Sequence, residues 1–264
     1  MSLTVSNTFK QPFAEQLAFF RQKLNLPTAR WDDIWQQAHD RAFIVAGVQK
    51  ADLLDDLRQA VDAAIAEGKS IGWFRKHFDS IVNKHGWTGW TGEGSKAGHD
   101  WRTLIIYQTN MSTSYAAGRW AQLSDPDLIK LRPYRTYVHA DGVSHPRPQH
   151  LAWDGITLPH DDPFWDSHSA PNGWRCHCRI TAASGQDYLI AQGTAKASRP
   201  AGWDSINPKT GAPPGIDAGF GYAPGKHANA ELRDMVDKKL VTYPPAIAKA
   251  LEAEVAPYLA DKKP

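Results

Sequence analysis

Apolar side chains recur at helical spacing through the first half of the chain, and this pattern predicts five helices. The clearest covers about 50–67, where leucine, valine and isoleucine side chains share one face and Gly68 follows the last turn. The five predicted helices cover residues 12–24, 29–41 and 50–67, a segment that begins after the N-cap Ser70, and about 101–123, for which Asp100 is the expected N-cap.

After Pro126 the apolar period changes from helix to strand. Tyr134 to His139 alternates in the manner of a strand, and Cys176 to Ala182 reads as a returning strand of the same small sheet. The residues between them, 141–174, are rich in proline, glycine, aspartate and histidine, which predicts an irregular but ordered excursion.

The last third of the chain alternates between helical and proline-rich stretches. The predicted elements there are a short helix near 186–192, a Pro/Gly segment at 199–225 and final helices at about 227–240 and 245–259. Within the Pro/Gly segment, Gly219 to Gly225 is expected to lie over a neighbouring element rather than to form its own core.

Together these patterns predict the α+β fold class. A helical N-terminal region precedes a small sheet, which carries a long irregular insertion containing histidine and cysteine, and C-terminal helices follow. The corresponding regions are 1–98 (N-terminal helices), 99–184 (a central core) and 185–264 (the Pro/Gly-rich segment and C-terminal helices).

Composition excludes several classes of protein. The 264 residues carry 30 basic and 28 acidic side chains, a net charge of +2 that is no footprint of a protein coated by nucleic acid. No run of 18 apolar residues predicts a membrane span, and the N-terminus MSLTVSNTFK has no apolar signal core. The two cysteines form no disulfide framework, and a Cys-x-Cys disulfide would be strained, so reduced thiols and cytoplasmic synthesis are expected.

Residues 139–178 contain six of the eleven histidines and both cysteines. Thiolates and imidazoles are the ligands of structural zinc, which can stabilise a loop excursion that has little core. Cys176 and Cys178 supply two candidate ligands, His150 the third and His168 the fourth, with His139 and His145 as alternatives to His168. The competing interpretation is that the cysteines are small buried apolar residues with histidines hydrogen-bonded nearby.

Two catalytic interpretations stay open beside the zinc site. A metal-dependent nuclease or hydrolase would assemble histidine and aspartate side chains, and a cysteine nucleophile would need a base and an exposed, acidified thiol. The simpler interpretation is that these side chains stabilise turns. The candidate hydrolase residues are Asp141, His145, His150, Asp154, Asp161 and Asp162.

Other side chains have a predicted contact rather than a predicted chemistry. Arg147 and Asp154 can bridge the excursion by an ion pair. The rings of Phe164 and Trp165, which follow a proline, are expected to fill a core or a partner's groove. Arg102 and Arg119 on the longest helix can contact nucleic acid or acidic partners, or lie on a solvated face.

These motifs taken together resemble the Mu F-like, SPP1-type head morphogenesis family, the minor head proteins of tailed bacteriophages. The resemblance covers roughly residues 40–182, with a similar downstream element at Gly219 to Gly225. The residues that carry it are Arg102, Thr109, Asn110 and Arg119 on the long helix, then Asp141, Arg147, His150, Asp154, Gly155, the Asp161–Trp165 run, the Pro171–Trp174 run with Gly173, and finally Cys176 and Cys178.

One position departs from the family pattern. The family usually has arginine between the two cysteines, and this chain has His177. In an extended strand that side chain points away from the thiols, so the departure puts in doubt a permanent positive charge at this position and not a metal site.

The resemblance implies a structural component of the virion. It implies a location in the head interior near the portal, a role in head morphogenesis that extends to DNA packaging or ejection, and the portal protein and major capsid protein as partners. Packaged double-stranded DNA is a further candidate partner, and neither a membrane nor a small-molecule substrate is expected. The alternative function is a metal-dependent nuclease or hydrolase packaged in the head.

Overall fold

The computed structural model describes residues 12–227 and positions 241, 245 and 249. Contacts divide the chain into Met1–Gly225 and Lys226–Pro264, and the description below concerns the first unit. The predicted helices at about 227–240 and 245–259 lie outside the described residues, apart from isolated positions. The predicted region boundaries at 98/99 and 184/185 stay predictions.

The N-terminal half is built from helices around one apolar core. Phe20, Leu54, Phe74 and Phe78 are among its fully buried members, and Ile106 of the longest helix packs against them. The elements are helix α1 (Ala14–Arg21), strand β1 (Leu24–Asn25), a 3-10 helix (Gln36–Asp40), strand β2 (Ala42–Phe43) and helices α2 (Ala51–Glu67), α3 (Ile71–His85) and α4 (Lys96–Leu123).

The caps of α2 and α3 confirm the predicted bounds. Gly68 and Gly86 both adopt the left-handed conformation that ends a helix, and the Ser70 hydroxyl accepts the amide of Trp73 at 3.3 Å. Helix α4 begins earlier than predicted, because Ser95 rather than Asp100 caps it. Asp100 lies inside the first turns and pairs with Arg75 and Lys96.

The predicted helix at 29–41 is wrong except for its last turn and a half. The Asp33 carboxylate accepts the backbone amides of Ala29 and Arg30 at 2.7 and 2.8 Å, which turns the chain back on itself. Gln36 has a φ of 45°, and only the 3-10 helix follows it. The tryptophans at helical spacing, Trp31 and Trp35, still meet at 5.9 Å.

The polar run on α4 bonds to its own helix. The side chains of Asn110, Thr113 and Ser114 donate to backbone carbonyls four residues earlier. Helix α1 packs closely over this run, because Gly118 leaves room for its backbone and Gln16 donates to the Ser114 hydroxyl at 3.0 Å. Packing therefore holds a helix of poor intrinsic propensity, as expected.

The second half centres on a three-stranded antiparallel sheet in the order β4-β3-β5. Its second apolar core includes Tyr137, Trp153, Phe164 and Trp165. Its elements are α5 (Pro126–Leu131), β3 (Tyr134–Val138), α6 (Pro148–Trp153), β4 (Thr157–Pro159), α7 (Phe164–His168), β5 (Arg179–Ala183) and α8 (Gly185–Gly193). The α+β fold class is confirmed, although the excursion contains two short helices and a strand that the sequence analysis missed.

The predicted returning strand begins three residues later than expected. Arg175 has a φ of 60°, and the amide of Cys176 donates to the Gly173 carbonyl at 3.1 Å, so the chain turns before β5. Cys176 and Cys178 therefore lie in the loop that leads into β5. The prediction that both lie on a strand is wrong.

Candidate metal centre

His150 lies on α6, a helix that Pro148 opens at its first turn. The imidazole is buried, and it stacks on the Trp153 ring at a centroid distance of 5.1 Å. Its Nε2 atom lies 2.9 Å from the carbonyl oxygen of Gly215. Because a carbonyl only accepts, Nε2 carries the hydrogen, and Nδ1 presents its lone pair on the other side of the ring.

Both cysteine sulfurs lie beside that lone pair. Sγ of Cys176 is 3.7 Å from Nδ1 of His150, and Sγ of Cys178 is 3.6 Å from the same nitrogen. Cys176 is buried and Cys178 partly so, and both thiols are free. Three of the four predicted zinc ligands thus come together, with ligand atoms all within 4.8 Å of one another.

The two thiols have opposite proton affinities. The pKa of Cys178 is lowered because the Cys176 thiol donates a hydrogen bond to it, with further contributions from His150 and Tyr137. The pKa of Cys176 is raised by that same bond, and next by burial. Cys178 is therefore the thiolate of the pair, and Cys176 keeps its proton.

The fourth predicted ligand, His168, lies elsewhere. Its ring stacks on Phe164 at 4.0 Å and meets the edge of Trp153 at 4.8 Å, while Nδ1 bonds to the Ser167 hydroxyl. Burial lowers the pKa of His168 to about 4. The alternatives do not replace it: in the described residues, neither His139 nor His145 is part of the group around Cys178.

The Pro/Gly segment supplies partners that the sequence analysis missed. Asp217 accepts hydrogen bonds from Arg147 at 2.8 Å and from the Trp174 amide at 2.9 Å. The predicted bridge between Arg147 and Asp154 is therefore wrong. Asp154 instead accepts the backbone amide of His139 at 2.8 Å. No spacing rule links Asp217 to Arg147, because 70 residues separate them in sequence.

Other motif residues have structural contacts. Gly155 has a φ of 79° and donates its amide to the Tyr137 carbonyl, and Trp165 is buried with its indole donating to the Pro159 carbonyl. The prediction that Trp165 fills a core is confirmed. Phe220 of the Pro/Gly segment packs edge-on against Trp174 at 5.0 Å, which confirms that this segment covers a neighbour.

The arginines and polar residues of α4 divide between interior and cavity walls. Arg102 is buried and donates to the Ala46 carbonyl, so the expected contact with nucleic acid is wrong for this residue. Arg119 donates to the Gln122 side chain and lines a cavity of about 870 Å³. Thr109 and Asn110 line a second cavity of about 690 Å³.

The candidate hydrolase residues are not assembled into one site in the described chain. Asp162 pairs with Arg199 at 2.9 Å and accepts the Phe164 amide at the start of α7. Asp141, His145 and Asp161 are exposed, and none of the predicted aspartates belongs to the group around His150. The larger cavity, which Cys176 and Cys178 also line, has no aspartate or glutamate in its wall.

Comparison with known proteins gives the class of protein to which this fold and site belong. Residues 55–181 match the family described as "Phage Mu protein F like protein". The matched region begins in α2 and ends in β5, so it contains His150, Cys176 and Cys178. The chain belongs to the Mu F-like family.

Two curated relatives extend the match. The chain is 36% identical over 182 residues to the "Putative capsid assembly protein F" of Escherichia phage Mu, which covers 66% of this chain and 40% of the relative. It is 35% identical over 175 residues to the "Mu-like prophage FluMu F protein" of Haemophilus influenzae, covering 65% and 41%. The match therefore spans about two fifths of these relatives' length. No solved structure matches the chain significantly.

Among the described residues, none of the helices combines the length and the apolar character that crossing a bilayer requires.

Proposed function

We propose that this chain is a structural minor head protein of a tailed bacteriophage, acting in head morphogenesis. The observation that carries the proposal is the 36% identity, over 182 residues, to the capsid assembly protein of phage Mu. The proposed location is the head interior near the portal. The proposed partners are the portal protein and the major capsid protein, with a further role in DNA packaging or ejection.

Exposed tryptophans support a role in binding other proteins. Trp31, Trp35 and Trp101 are each between 37% and 47% exposed, and large aromatic rings are enriched in protein interfaces. Trp31 and Trp101 also line the 690 Å³ cavity, together with Trp174 and Phe220. Such a concave aromatic surface offers pockets for the side chains of a partner.

The hydrolase alternative lacks this kind of support. A metal hydrolase needs an activated water and a general base beside it. The predicted aspartates are dispersed, and the cavity next to the thiols is lined without a carboxylate in the described chain. Catalysis stays the less favoured function on these grounds.

The particle itself tests the proposal. The genome that encodes the chain is induced with the gene intact or interrupted, and procapsids and mature heads are purified and analysed by mass spectrometry and cryo-electron microscopy. We expect the protein in procapsids, with density at the portal vertex, and a loss of infectious heads without the gene. Absence of the chain from both particles would refute a structural role.

A surface variant makes the test specific. Trp101→Ala removes a 47% exposed ring from the aromatic cavity and should leave the fold intact, while lowering incorporation into heads. Ile190→Ala, at a 59% exposed position on α8, is the control and should assemble normally. Equal incorporation of both variants would exclude this cavity as the docking surface.

Binding to packaged DNA has its own measurement. Binding that uses phosphate contacts weakens steeply as salt rises. An affinity for duplex DNA that is unchanged between low and physiological salt would exclude such contacts.

A further inference from the structure

We propose that His150, Cys176 and Cys178 bind one zinc ion, which joins α6 to the loop before β5. The inference goes beyond a role in head assembly, and it replaces the four-ligand site predicted from the sequence. His168 has no part in it, because both imidazoles contact the Trp153 ring and His168 has its own bond to Ser167.

The distances between ligand atoms fit a tetrahedral site. An ion about 2.3 Å from sulfur and about 2.0 Å from nitrogen, at tetrahedral angles, places these two atoms about 3.5 Å apart. The two Sγ–Nδ1 distances are 3.7 and 3.6 Å. One ion can therefore reach all three ligands with little movement of either side chain.

The imidazole is already oriented as a metal ligand. A ligating histidine commonly donates its other ring N–H to a carbonyl or carboxylate, which fixes the tautomer. The Gly215 carbonyl accepts that bond from Nε2 at 2.9 Å, so the lone pair of Nδ1 faces the sulfurs. The ring cannot rotate freely, because it stacks on Trp153.

Gly215 makes this approach possible. It has a φ of 91°, and a side chain there would lie 2.6 Å from Cβ of Gln149 and 2.9 Å from the Trp153 ring. Only glycine lets the Pro/Gly segment come close enough to α6 for its carbonyl to reach His150. The segment 65 residues downstream therefore positions a ligand without contacting the ion.

The donor set suits zinc and a structural role. Two thiolates balance the charge of a divalent ion, and binding releases the Cys176 proton to solvent. No fourth histidine, cysteine or carboxylate joins the group within the described chain. The two cysteines line the 870 Å³ cavity, so we assign the fourth position to water from that side.

This donor set also occurs in catalytic zinc sites, and the cavity wall distinguishes the two roles. Zinc deaminases place a glutamate beside the bound water as general acid and base. The wall of this cavity has no such carboxylate among the described residues. The ion would therefore cross-link the excursion rather than activate its water.

Metal content of the full chain is the direct test. The protein is expressed with zinc, purified without chelator and analysed by elemental mass spectrometry, and we expect about one equivalent of zinc per chain. Cobalt exchanged into the site should give a thiolate charge-transfer band near the ultraviolet and visible bands typical of tetrahedral geometry. Chelation of the wild-type protein should lower the melting temperature reversibly.

Matched variants locate the site. Cys178→Ser should abolish the cobalt charge-transfer band or weaken it strongly, and Gly215→Ala should weaken zinc binding about tenfold through His150. His177→Ala is the control, because this exposed imidazole lies between the cysteines in sequence but contacts Gln108 instead. It should keep full zinc content.

Three results would overturn the proposal. One is wild-type protein with less than about a third of an equivalent of zinc after reconstitution. The others are a cobalt spectrum without thiolate bands and zinc content that His177→Ala lowers as much as Cys178→Ser does. The wild-type measurements do not require any variant to fold, and none of these results bears on whether the protein enters the phage head.

Discussion

Arg147 and Asp217 form an ion pair at 2.8 Å that joins the start of α6 to the Pro/Gly segment. Arg147 also donates to the Trp174 carbonyl at 3.1 Å, and Asp217 accepts the Trp174 amide. The pair therefore surrounds the turn that precedes the cysteines. It brings three distant stretches of the chain together beside the candidate metal centre.

Gly173 should tolerate no side chain, because a methyl group there would overlap both the Arg147 guanidinium and the Asp217 carboxylate. We expect Gly173→Ala to destabilise the protein by about 1–3 kcal/mol, since the ion pair must move apart to admit it. Urea unfolding followed by circular dichroism measures the change.

Gly185→Ala is the control for that substitution. Gly185 lies at the start of α8, and nothing lies within 4 Å of where its side chain would be. The same chemical change should leave stability unchanged or raise it by up to about 1 kcal/mol. Equal effects at the two glycines would show that crowding around the ion pair is not the cause.

Acid should destabilise the fold through His168. Its pKa is lowered to about 4 by burial, against an ordinary value of 6.5, so the unfolded chain binds a proton that the folded chain does not between these pH values. The stability contributed by the neutral ring is complete above pH 6.5 and is lost as the pH falls through 4. The full effect is about 3 kcal/mol.

His168→Gln removes this titration. The variant should be less stable at pH 7, where the ring packing is lost, but its free energy of unfolding should fall less between pH 7 and pH 4.5. His177→Gln, an exposed position, should keep the wild-type slope. A His168→Gln slope equal to the wild type's would assign the acid sensitivity to other groups, of which His39 has a similarly lowered pKa.

Local patterns were enough to predict the helices with strong punctuation. Helix α2 has its apolar stripe and Gly68, and α3 has the Ser70 cap and Gly86. The segment at 29–41 has an equally regular stripe, yet the Asp33 carboxylate takes the amides that would begin a helix. Such competition between a side chain and the backbone depends on the turn actually formed, and composition does not reveal it.

The candidate site divides in the same way. The density of ligands near Cys176 and Cys178 was visible in the sequence, and His150 does join them. Its tautomer is set by Gly215 and its approach by Asp217, from a segment with no periodicity and 65 to 70 residues away. Tertiary contacts of this kind leave no local signal, and they also separate His168 from the group.

Close packing between α1 and α4 gives a prediction for the helical half. A side chain at Gly118 would lie 2.7 Å from the backbone nitrogen of Gln16 and 2.8 Å from the Phe13 ring. Although alanine has the better helix propensity, we expect Gly118→Ala to lower stability by about 1–3 kcal/mol by forcing α1 away. Gly185→Ala again serves as the control, and a thermal melt that rises for both variants would contradict the close approach.

Lys23 should give the alkaline side of the stability profile its slope. This lysine is 4% exposed, and its ammonium donates to the His39 carbonyl at 2.7 Å. Burial lowers its pKa to about 8, with Asp40 opposing and Arg58 adding to the shift. Between pH 8 and 10.5 the unfolded chain binds the proton more tightly, so this group makes stability rise with pH.

Lys23→Met isolates that contribution. Methionine fills a similar volume without a charge, and near pH 7 it avoids the cost of burying the ammonium but leaves the His39 carbonyl without its donor. We expect the stability of the wild type relative to Lys23→Met to rise by up to about 3 kcal/mol from pH 8 to pH 10.5. Parallel stability curves for the two proteins across this range would show that Lys23 keeps an ordinary proton affinity in the folded state.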